Sequence, residues 1–249
     1  MSGHSKWSTI KRKKGAADAK RGKIFTTLIK EIQVAARHGG SDESTNPRLR
    51  TAINTARGAN MPNENIKKAI LRGTGDLPGV TYDEISYEGY GPGGVAMFVE
   101  CMTDNKQRTV ADVRHLFSKY NGSLAENGAV SWIFNAVGVI NVNADTIDED
   151  ALMEHVLESG AEDMTSEDGI FQVTCATKDL HDVQTYFDDN NIAYENAELV
   201  KLPSNTVKVE SKDVKSLMKL MDGMEDCEDV QKVWANFEID DELLENLEL

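Results

Sequence analysis

Apolar positions recur at helical spacing in three stretches near the start of the chain. From about Ala19 the apolar residues follow a 3.6-residue period until Gly39. Asn46 and the proline after it supply a capping side chain and a residue suited to the first helical position. A third short helix ends before Gly73. Three short helices with brief loops can share one small core, so residues 24–79 are predicted to form an N-terminal helical domain.

Beyond residue 79 the pattern becomes mixed α and β. Alternating or continuous apolar runs predict strands, and runs of helical period predict helices between them. The predicted strands are 83–89, 95–102, 129–134, 137–142, 170–176, one ending at 202, 206–209 and 230–237, and the predicted helices lie near 110–120, 148–157, 179–189 and 214–221.

These elements predict two small α/β domains of ferredoxin-like type. Residues 80–136 and 206–239 together form a discontinuous domain, and residues 137–205 form a domain inserted into it. Residues 240–249 are an acidic tail. The predicted fold class is therefore mixed α+β with three domains: an N-terminal three-helix domain and two small α/β domains, the middle one discontinuous. Strand order cannot be deduced from one sequence.

The net charge of −15 hides two ends of opposite sign. Residues 1–78 hold 16 Lys and Arg against 6 Asp and Glu, a net of +10, which leaves 11 against 36, a net of −25, for residues 79–249. A basic end on an acidic body is typical of a module that binds a polyanion. Solubility alone needs a net charge of only about 2–8 per small domain, so binding is the favoured interpretation.

Residues 1–23 are interpreted as a basic arm. Nothing in this segment can bury an apolar face, so we expect it to become ordered on a phosphate backbone. In the helix that follows, Lys20, Lys23, Lys30 and Arg37 centre on the side opposite the apolar stripe. The predicted nucleic-acid-binding residues are His4, Lys6, Trp7, Lys11, Arg12, Lys13, Lys14, Lys20, Arg21, Lys23, Lys30, Arg37, Arg48, Arg50, Arg57, Lys67, Lys68 and Arg72, with Trp7 stacking on a base.

A glycine-rich segment follows the first predicted strand and reads GYGPGG from Gly89. Glycines let backbone N–H groups approach an anion, but here they join two strands, whereas a phosphate-binding loop opens a helix. One interpretation is a simple connection between strands. The other is a surface loop that contacts RNA or protein through Tyr90, Gly91, Gly93 and Gly94.

Patterns for catalysis or metal binding are not indicated. The five histidines are scattered, the three cysteines form no C-x-x-C pair, and the acidic clusters fit no calcium loop and are interpreted as solvated helix ends and turns. We therefore expect no enzyme activity, cofactor, metal or small-molecule substrate. The chain has no apolar run of membrane-spanning length and no signal peptide at its start, so we expect a cytoplasmic protein without a membrane partner.

Three separated motifs resemble one known family. The segments read GHSKWSTIK from Gly3, YEGYGPGG from Tyr87 and DVQKVWANF from Asp229. In this order across the chain they resemble the YebC/PmpR family, which includes the mitochondrial translational activator of cytochrome oxidase subunit one. The resemblance implies a three-domain α/β protein that is not an enzyme. It also implies a role in gene expression, because members are labelled probable transcriptional regulators that bind DNA and some act on the ribosome at proline-rich stretches.

We therefore predict a non-enzymatic nucleic-acid-binding regulator of gene expression. The preferred interpretation is a ribosome-associated translation factor that eases synthesis of proline-rich segments, with ribosomal RNA as its ligand and the ribosome as its partner. The alternative is a DNA-binding transcriptional regulator. A protein-interaction scaffold and an acidic α/β enzyme with a basic appendage are more distant alternatives.

Overall fold

The computed structural model of the chain describes residues 19–167, 169–240 and 243. These residues divide into two compact units. One unit is formed by residues 132–206, and the other by residues 19–131 together with 207–240 and 243. Most of the predicted basic arm and of the predicted acidic tail lies outside the described residues.

In chain order the helices are α1 (Ala19–Gly39), α2 (Pro47–Gly58), α3 (Asn63–Thr74), α4 (Lys106–Lys119), α5 (Glu149–Ser159), α6 (Leu180–Asp189) and α7 (Ser211–Asp226). The strands are β1 (Asp83–Tyr90), β2 (Ala96–Thr103), β3 (Ser123–Leu124), β4 (Phe134–Asn143), β5 (Asp163–Glu167), β6 (Ile170–Cys175), β7 (Asn196–Pro203), β8 (Val207–Lys208), β9 (Val230–Ala235) and β10 (Phe237–Glu238). Short 3₁₀ turns occupy Pro92–Gly94 and Ser131–Ile133.

The three N-terminal helices pack around a small core, as the apolar pattern predicts. The side chain of Asn46 accepts a hydrogen bond of 3.0 Å from the backbone N–H of Leu49, so α2 begins at the predicted cap. Leu49 and Ile53 are fully buried. A Cβ atom at Gly73 of α3 would lie 2.4 Å from the carbonyl oxygen of Gln33 on α1. Only glycine permits this close approach of the two helices.

The first sheet is built from two distant parts of the chain. Its strands run antiparallel in the order β3-β1-β2-β9, and β8 pairs in parallel with β10 beside it. Helices α4 and α7 contribute Val113, Phe117, Leu217 and Met221 to a core shared with Val99 of β2, and all five are fully buried. The predicted discontinuous α/β architecture is therefore confirmed.

Residues 134–203 form a second antiparallel sheet in the order β5-β6-β4-β7. The element order βαββαβ with this strand order is ferredoxin-like. Helices α5 and α6 bury Leu152, Val156, Val183 and Phe187 in the core of this unit. The mixed α+β class, with a helical N-terminal region followed by α/β domains, is confirmed.

The inserted unit departs from the sequence prediction at β5. The acidic pairs at 162–163 and 167–168 are among the clusters interpreted from the sequence as solvated helix ends and turns, but Asp163–Glu167 is a strand that pairs with β6 at the edge of the sheet. Met164 is the only buried residue of this strand, so its composition carries little strand character. The predicted domain boundary at residue 137 falls inside β4, which begins at Phe134.

The predicted strand 129–134 is also wrong. The backbone N–H groups of Gly128, Val130 and Ser131 donate hydrogen bonds of 2.7, 2.7 and 2.8 Å to the carboxylate of Glu88. These donors are then not available to a neighbouring strand. The segment therefore turns through Ser131–Ile133 before β4 starts.

Candidate nucleic-acid interface

The predicted contact residues of the arm, apart from those in α1, lie outside the described residues. Lys20 and Arg21 occupy the first turn of α1. The residues outside the described range are His4, Lys6, Trp7, Lys11, Arg12, Lys13 and Lys14. Their role in binding stays a prediction.

Lys30 is not on an exposed cationic face, which corrects its predicted role. The residue is 2% exposed, and its ammonium group donates to Asp229 Oδ1 at 2.9 Å and to the carbonyl oxygens of Met102 and Glu228 at 3.2 and 3.0 Å. Three acceptors satisfy all three donors of the ammonium group. Lys30 therefore joins α1 to the first α/β sheet and cannot reach a phosphate.

Asp229 is the centre of this buried network. Burial opposes its ionisation, but hydrogen bonds from Arg108, Lys30 and Thr109 outweigh burial and lower its pKa to about 2. Arg108 Nη2 lies 2.7 Å from Asp229 Oδ2. The carboxylate is thus ionised and fully partnered, which indicates a structural role for the whole network.

A second cation predicted to bind phosphate also holds the unit together. Arg48 donates to Glu31 at 2.7 Å and to Glu84 at 2.6 Å. The hydrogen bonds to Glu31 and Glu84 raise the pKa of Arg48, against burial, and the hydrogen bond from Arg48 lowers the pKa of Glu84. Two carboxylates therefore compete with any phosphate for this guanidinium group.

Three further predicted cations, Lys23, Arg50 and Arg57, also contact partners within the fold. Lys23 is half-buried and donates to the carbonyl oxygen of Cys227 at 2.9 Å, and Arg50 donates to the carbonyl oxygen of Glu43 at 3.1 Å. Arg57 lies 3.5 Å from the Glu43 carboxylate, and both side chains are about half exposed. Exposed ion pairs are weak, so Arg57 can exchange Glu43 for a phosphate.

Helix α3 carries the remaining predicted cations. Lys67, Lys68 and Arg72 are exposed, and Lys68 pairs with Glu64 one turn earlier at 3.4 Å. Within the described part of the chain, Lys67 and Arg72 form no ion pair. These side chains are the ones in the folded helical segment that remain most available to an anionic ligand.

The fold brings Arg37 and Arg72 to one open cleft, which we call the Arg37–Arg72 cleft. Its empty space, including the part open to bulk solvent, is about 220 Å³, and it is lined by Gln33, Val34, Arg37, Arg72, Gly73, Val80, Thr81 and Tyr82. The two arginines come from α1 and α3, and the last three residues from the segment that leads into β1. The charge pattern of the sequence predicts the two arginines but not Gln33, Thr81 and Tyr82, because no local pattern places them beside each other.

The glycine-rich segment is mainly a structural connection. A Cβ atom at Gly91 would lie 3.0 Å from Met97 Sδ and 3.4 Å from Leu217 Cδ1, so Gly91 is packed against the core and its predicted role in ligand contact is corrected. Gly93 and Gly94 are exposed at φ values of +73° and +77°. The Tyr90 hydroxyl donates to the carbonyl oxygen of Ala129 at 3.3 Å.

A metal site needs a cluster of ligating side chains, and a membrane span needs a long apolar helix. They contain no group of three or more His, Cys, Asp or Glu side chains that could hold a metal ion. Across the same residues, no helix is both long enough and apolar enough to cross a membrane. Cys101 and Cys175 are buried free thiols, and burial raises the pKa of both, that of Cys175 to about 11.

The fold and the distribution of charge define an α+β protein with a cationic N-terminal segment, a class suited to polyanions. Within this class the chain belongs to the TACO1/YebC family. The family model described as "TACO1/YebC protein N-terminal domain" matches residues 5–76, and the model described as "TACO1/YebC second and third domain" matches residues 82–237.

Relatives of known sequence span the whole chain. A probable transcriptional regulatory protein of Desulfotalea psychrophila is 57% identical over 248 residues, covering 99% of each chain. One of Syntrophobacter fumaroxidans is 53% identical over 248 residues, covering 99% of this chain and 100% of its own. The crystal structure of a conserved hypothetical protein from Aquifex aeolicus superimposes with a TM-score of 0.82 at 42% identity, covering 90% of this chain and 92% of that one.

Proposed function

We propose that this protein is a non-catalytic regulator of gene expression that binds nucleic acid through its basic N-terminal segment. The observation that carries the proposal is the division of charge, +10 over residues 1–78 and −25 over the rest. Arg57 of α2 and the exposed cations of α3 support it, because they have weak ion pairs or none among the described residues. The acidic α/β units would be repelled by the same polyanion, which directs it to the helical segment.

DNA is the first candidate ligand. The relatives from Desulfotalea psychrophila and Syntrophobacter fumaroxidans are both named as probable transcriptional regulatory proteins. Basic arms that precede a folded module also follow the grooves of duplex DNA. This reverses the order of preference reached from the sequence.

Ribosomal RNA is the second candidate. The matching family models are described as TACO1/YebC domains. The family that the three sequence motifs resemble includes a mitochondrial translational activator. A basic arm with a cationic helical surface also suits RNA recognised by its shape. With this ligand the protein would act on the ribosome during synthesis of proline-rich segments.

Nucleic-acid binding is tested by changing the arm. We expect Lys11→Ala, Arg12→Ala, Lys13→Ala and Lys14→Ala together to weaken binding to a labelled duplex or structured RNA. The slope of log affinity against log salt should flatten by about 0.7 to 0.9 for each phosphate that is no longer bound. A control variant with Lys212, Lys215 and Lys219 of α7 changed to alanine should bind as wild type. Equal affinity of the arm variant and wild type at two salt concentrations would contradict the proposal.

Cells lacking the protein distinguish DNA from ribosomal RNA as the working ligand. If the protein is a transcription factor, these cells should have altered transcript levels from promoters that the purified protein binds at physiological salt. If it is a translation factor, their ribosomes should pause at proline runs, and purified protein should relieve such pauses in a reconstituted system without DNA. If wild-type protein shows no salt-dependent binding to either nucleic acid, the scaffold alternative replaces both.

A further inference from the structure

We propose that the Arg37–Arg72 cleft is a binding site for one phosphate group of the nucleic-acid backbone. The inference rests on the proposed function and deepens it, because it names where the folded helical segment holds the polyanion. It would give the folded helical segment one fixed phosphate contact, in addition to the contacts predicted for the basic arm.

The side chains around the cleft are suited to an oxyanion. Arg37 and Arg72 present guanidinium groups, Thr81 and Tyr82 present hydroxyls, and Gln33 presents an amide. All five can donate hydrogen bonds, and guanidinium groups match the geometry of phosphate. The described residues that line the cleft include no carboxylate. A phosphate there would therefore face donors from α1, from α3 and from the segment before β1.

Gln33 adds an uncommitted amide to the cleft. The residue is 6% exposed, and its side chain forms no hydrogen bond with any other described residue. Among the described residues, the buried side-chain polar atom without a hydrogen-bond partner is Nε2 of Gln231, so the amide of Gln33 still reaches solvent at the cleft. Because Gln33 lines the cleft, its amide can donate to a ligand there without breaking another hydrogen bond.

The two arginines are positioned without being occupied by strong ion pairs. The stem of Arg72 lies against Gly79, where a Cβ atom would be 3.0 Å from both Cγ and Cδ of Arg72. Arg37 lies 3.8 Å from Asp83, and that carboxylate has a shorter contact of 3.1 Å with Lys106. Both guanidinium groups can therefore turn to a phosphate without breaking a strong contact.

Tyr82 completes the site as a neutral donor. Burial is the main cause that raises the pKa of its hydroxyl, and the nearby carboxylates of Asp104 and Glu228 raise it further, while Arg72 opposes them. The hydroxyl is thus protonated at neutral pH. The Lys30 ammonium group lies 5.1 Å from the centre of the Tyr82 ring, and this cation–π contact favours the observed ring position.

The same chemistry could bind free phosphate, but the shape favours a backbone phosphate. The cleft is partly open to solvent, so a free ion would be held on one side only. A phosphate within a nucleic acid would instead share its binding energy with contacts at the exposed cations of α3, such as Lys67 and Lys68.

The test compares variants of the full-length protein for binding to a labelled duplex and a labelled structured RNA. We expect Arg37→Gln with Arg72→Gln to weaken binding by about tenfold or more, the value of hydrogen bonds to a charged group. The salt slope should flatten by about 0.7 to 0.9 for the one phosphate released. Tyr82→Phe should weaken binding by about threefold, because it loses one hydrogen bond. The matched control Arg114→Gln, an exposed arginine of α4, should bind as wild type.

The outcomes separate this proposal from the proposed function. If the arm variant loses binding while Arg37→Gln with Arg72→Gln keeps wild-type affinity and slope, the cleft proposal is overturned and the proposed function stands. If wild-type protein binds no nucleic acid, both fail. If the double variant melts at a lower temperature than wild type, the Tyr82→Phe variant becomes the test of the cleft proposal. Unchanged nucleic-acid binding by a Tyr82→Phe protein of wild-type stability would then overturn the cleft proposal.

Titration with inorganic phosphate distinguishes the source of the anion. The NMR signals of the Gln33 side-chain amide report directly on the cleft. We expect inorganic phosphate to shift them only weakly and an oligonucleotide to shift them at much lower concentration. Saturation by inorganic phosphate, with nucleic-acid binding indifferent to the cleft variants, would identify a free-anion site and overturn the proposal.

Discussion

The buried pair between Lys30 and Asp229 should contribute strongly to the stability of the unit that contains the helical segment and the first sheet. Lys30→Met keeps a side chain of similar length in α1 and removes only the ammonium group. Asp229 then loses a partner at 2.9 Å and retains Arg108, Thr103 and Thr109. A buried carboxylate that loses a cation must bear more of its own desolvation.

The size of the effect follows from the pKa of Asp229. Folding lowers it from 3.8 to about 2, which corresponds to about 2.4 kcal/mol at neutral pH for all its partners together, with Arg108 contributing more than Lys30. Removing one partner of a buried pair typically costs about 3–5 kcal/mol, and the retained Arg108 reduces that cost. We therefore expect Lys30→Met to lower the free energy of unfolding by about 2–3 kcal/mol at pH 7.

The same linkage gives the pH dependence. A carboxyl whose pKa is lowered by folding stabilises the protein above its unfolded pKa of 3.8, and this contribution is lost as pH falls through the folded value of about 2. The difference in stability between wild type and Lys30→Met should therefore be constant from neutral pH to about pH 4 and should narrow below it.

Urea unfolding monitored by tryptophan fluorescence measures this difference. Trp234 of β9 is 1% exposed, and its indole N–H donates to Glu100 at 3.0 Å, so it reports on the sheet that carries Asp229. The control is Lys212→Met, which breaks an exposed pair with Glu210 and should unfold at the wild-type urea concentration. An unchanged midpoint for Lys30→Met at pH 7 would refute the structural role of the network.

Two further predictions concern close contacts within the same unit. Gly73→Ala should lower the free energy of unfolding by about 1–3 kcal/mol, because its Cβ would lie 2.4 Å from the carbonyl oxygen of Gln33. The control Gly58→Ala, whose Cβ would have no atom within 4 Å, should be neutral or stabilising. Equal melting temperatures for the two variants would contradict the close packing of α1 and α3. Glu88→Gln should increase hydrogen exchange at the amides of Gly128, Val130 and Ser131, because hydrogen bonds to a charged acceptor become bonds to a neutral one. Unchanged protection of these amides would show that the carboxylate does not hold the turn.

Much of the fold follows from local sequence patterns. The apolar stripe with Leu49 and Ile53, the Asn46 cap and the alternation of β1 specify their elements, because helix and strand periods and capping depend on neighbouring residues. The edge strand β5 was not predictable in this way. Its outward-facing residues are polar and it is defined mainly by backbone pairing with β6.

The chemical roles of the basic residues depended on tertiary structure. The sequence alone determined that the N-terminal segment is cationic and the remainder acidic, because charge is a property of composition. It placed Lys30 beside Arg37 on one helical face, yet only the fold sets Lys30 against Asp229, 199 residues away. A periodic pattern shows which side of a helix is polar. It cannot show whether a cation there faces water, a carboxylate or a cleft, since that depends on segments distant in sequence.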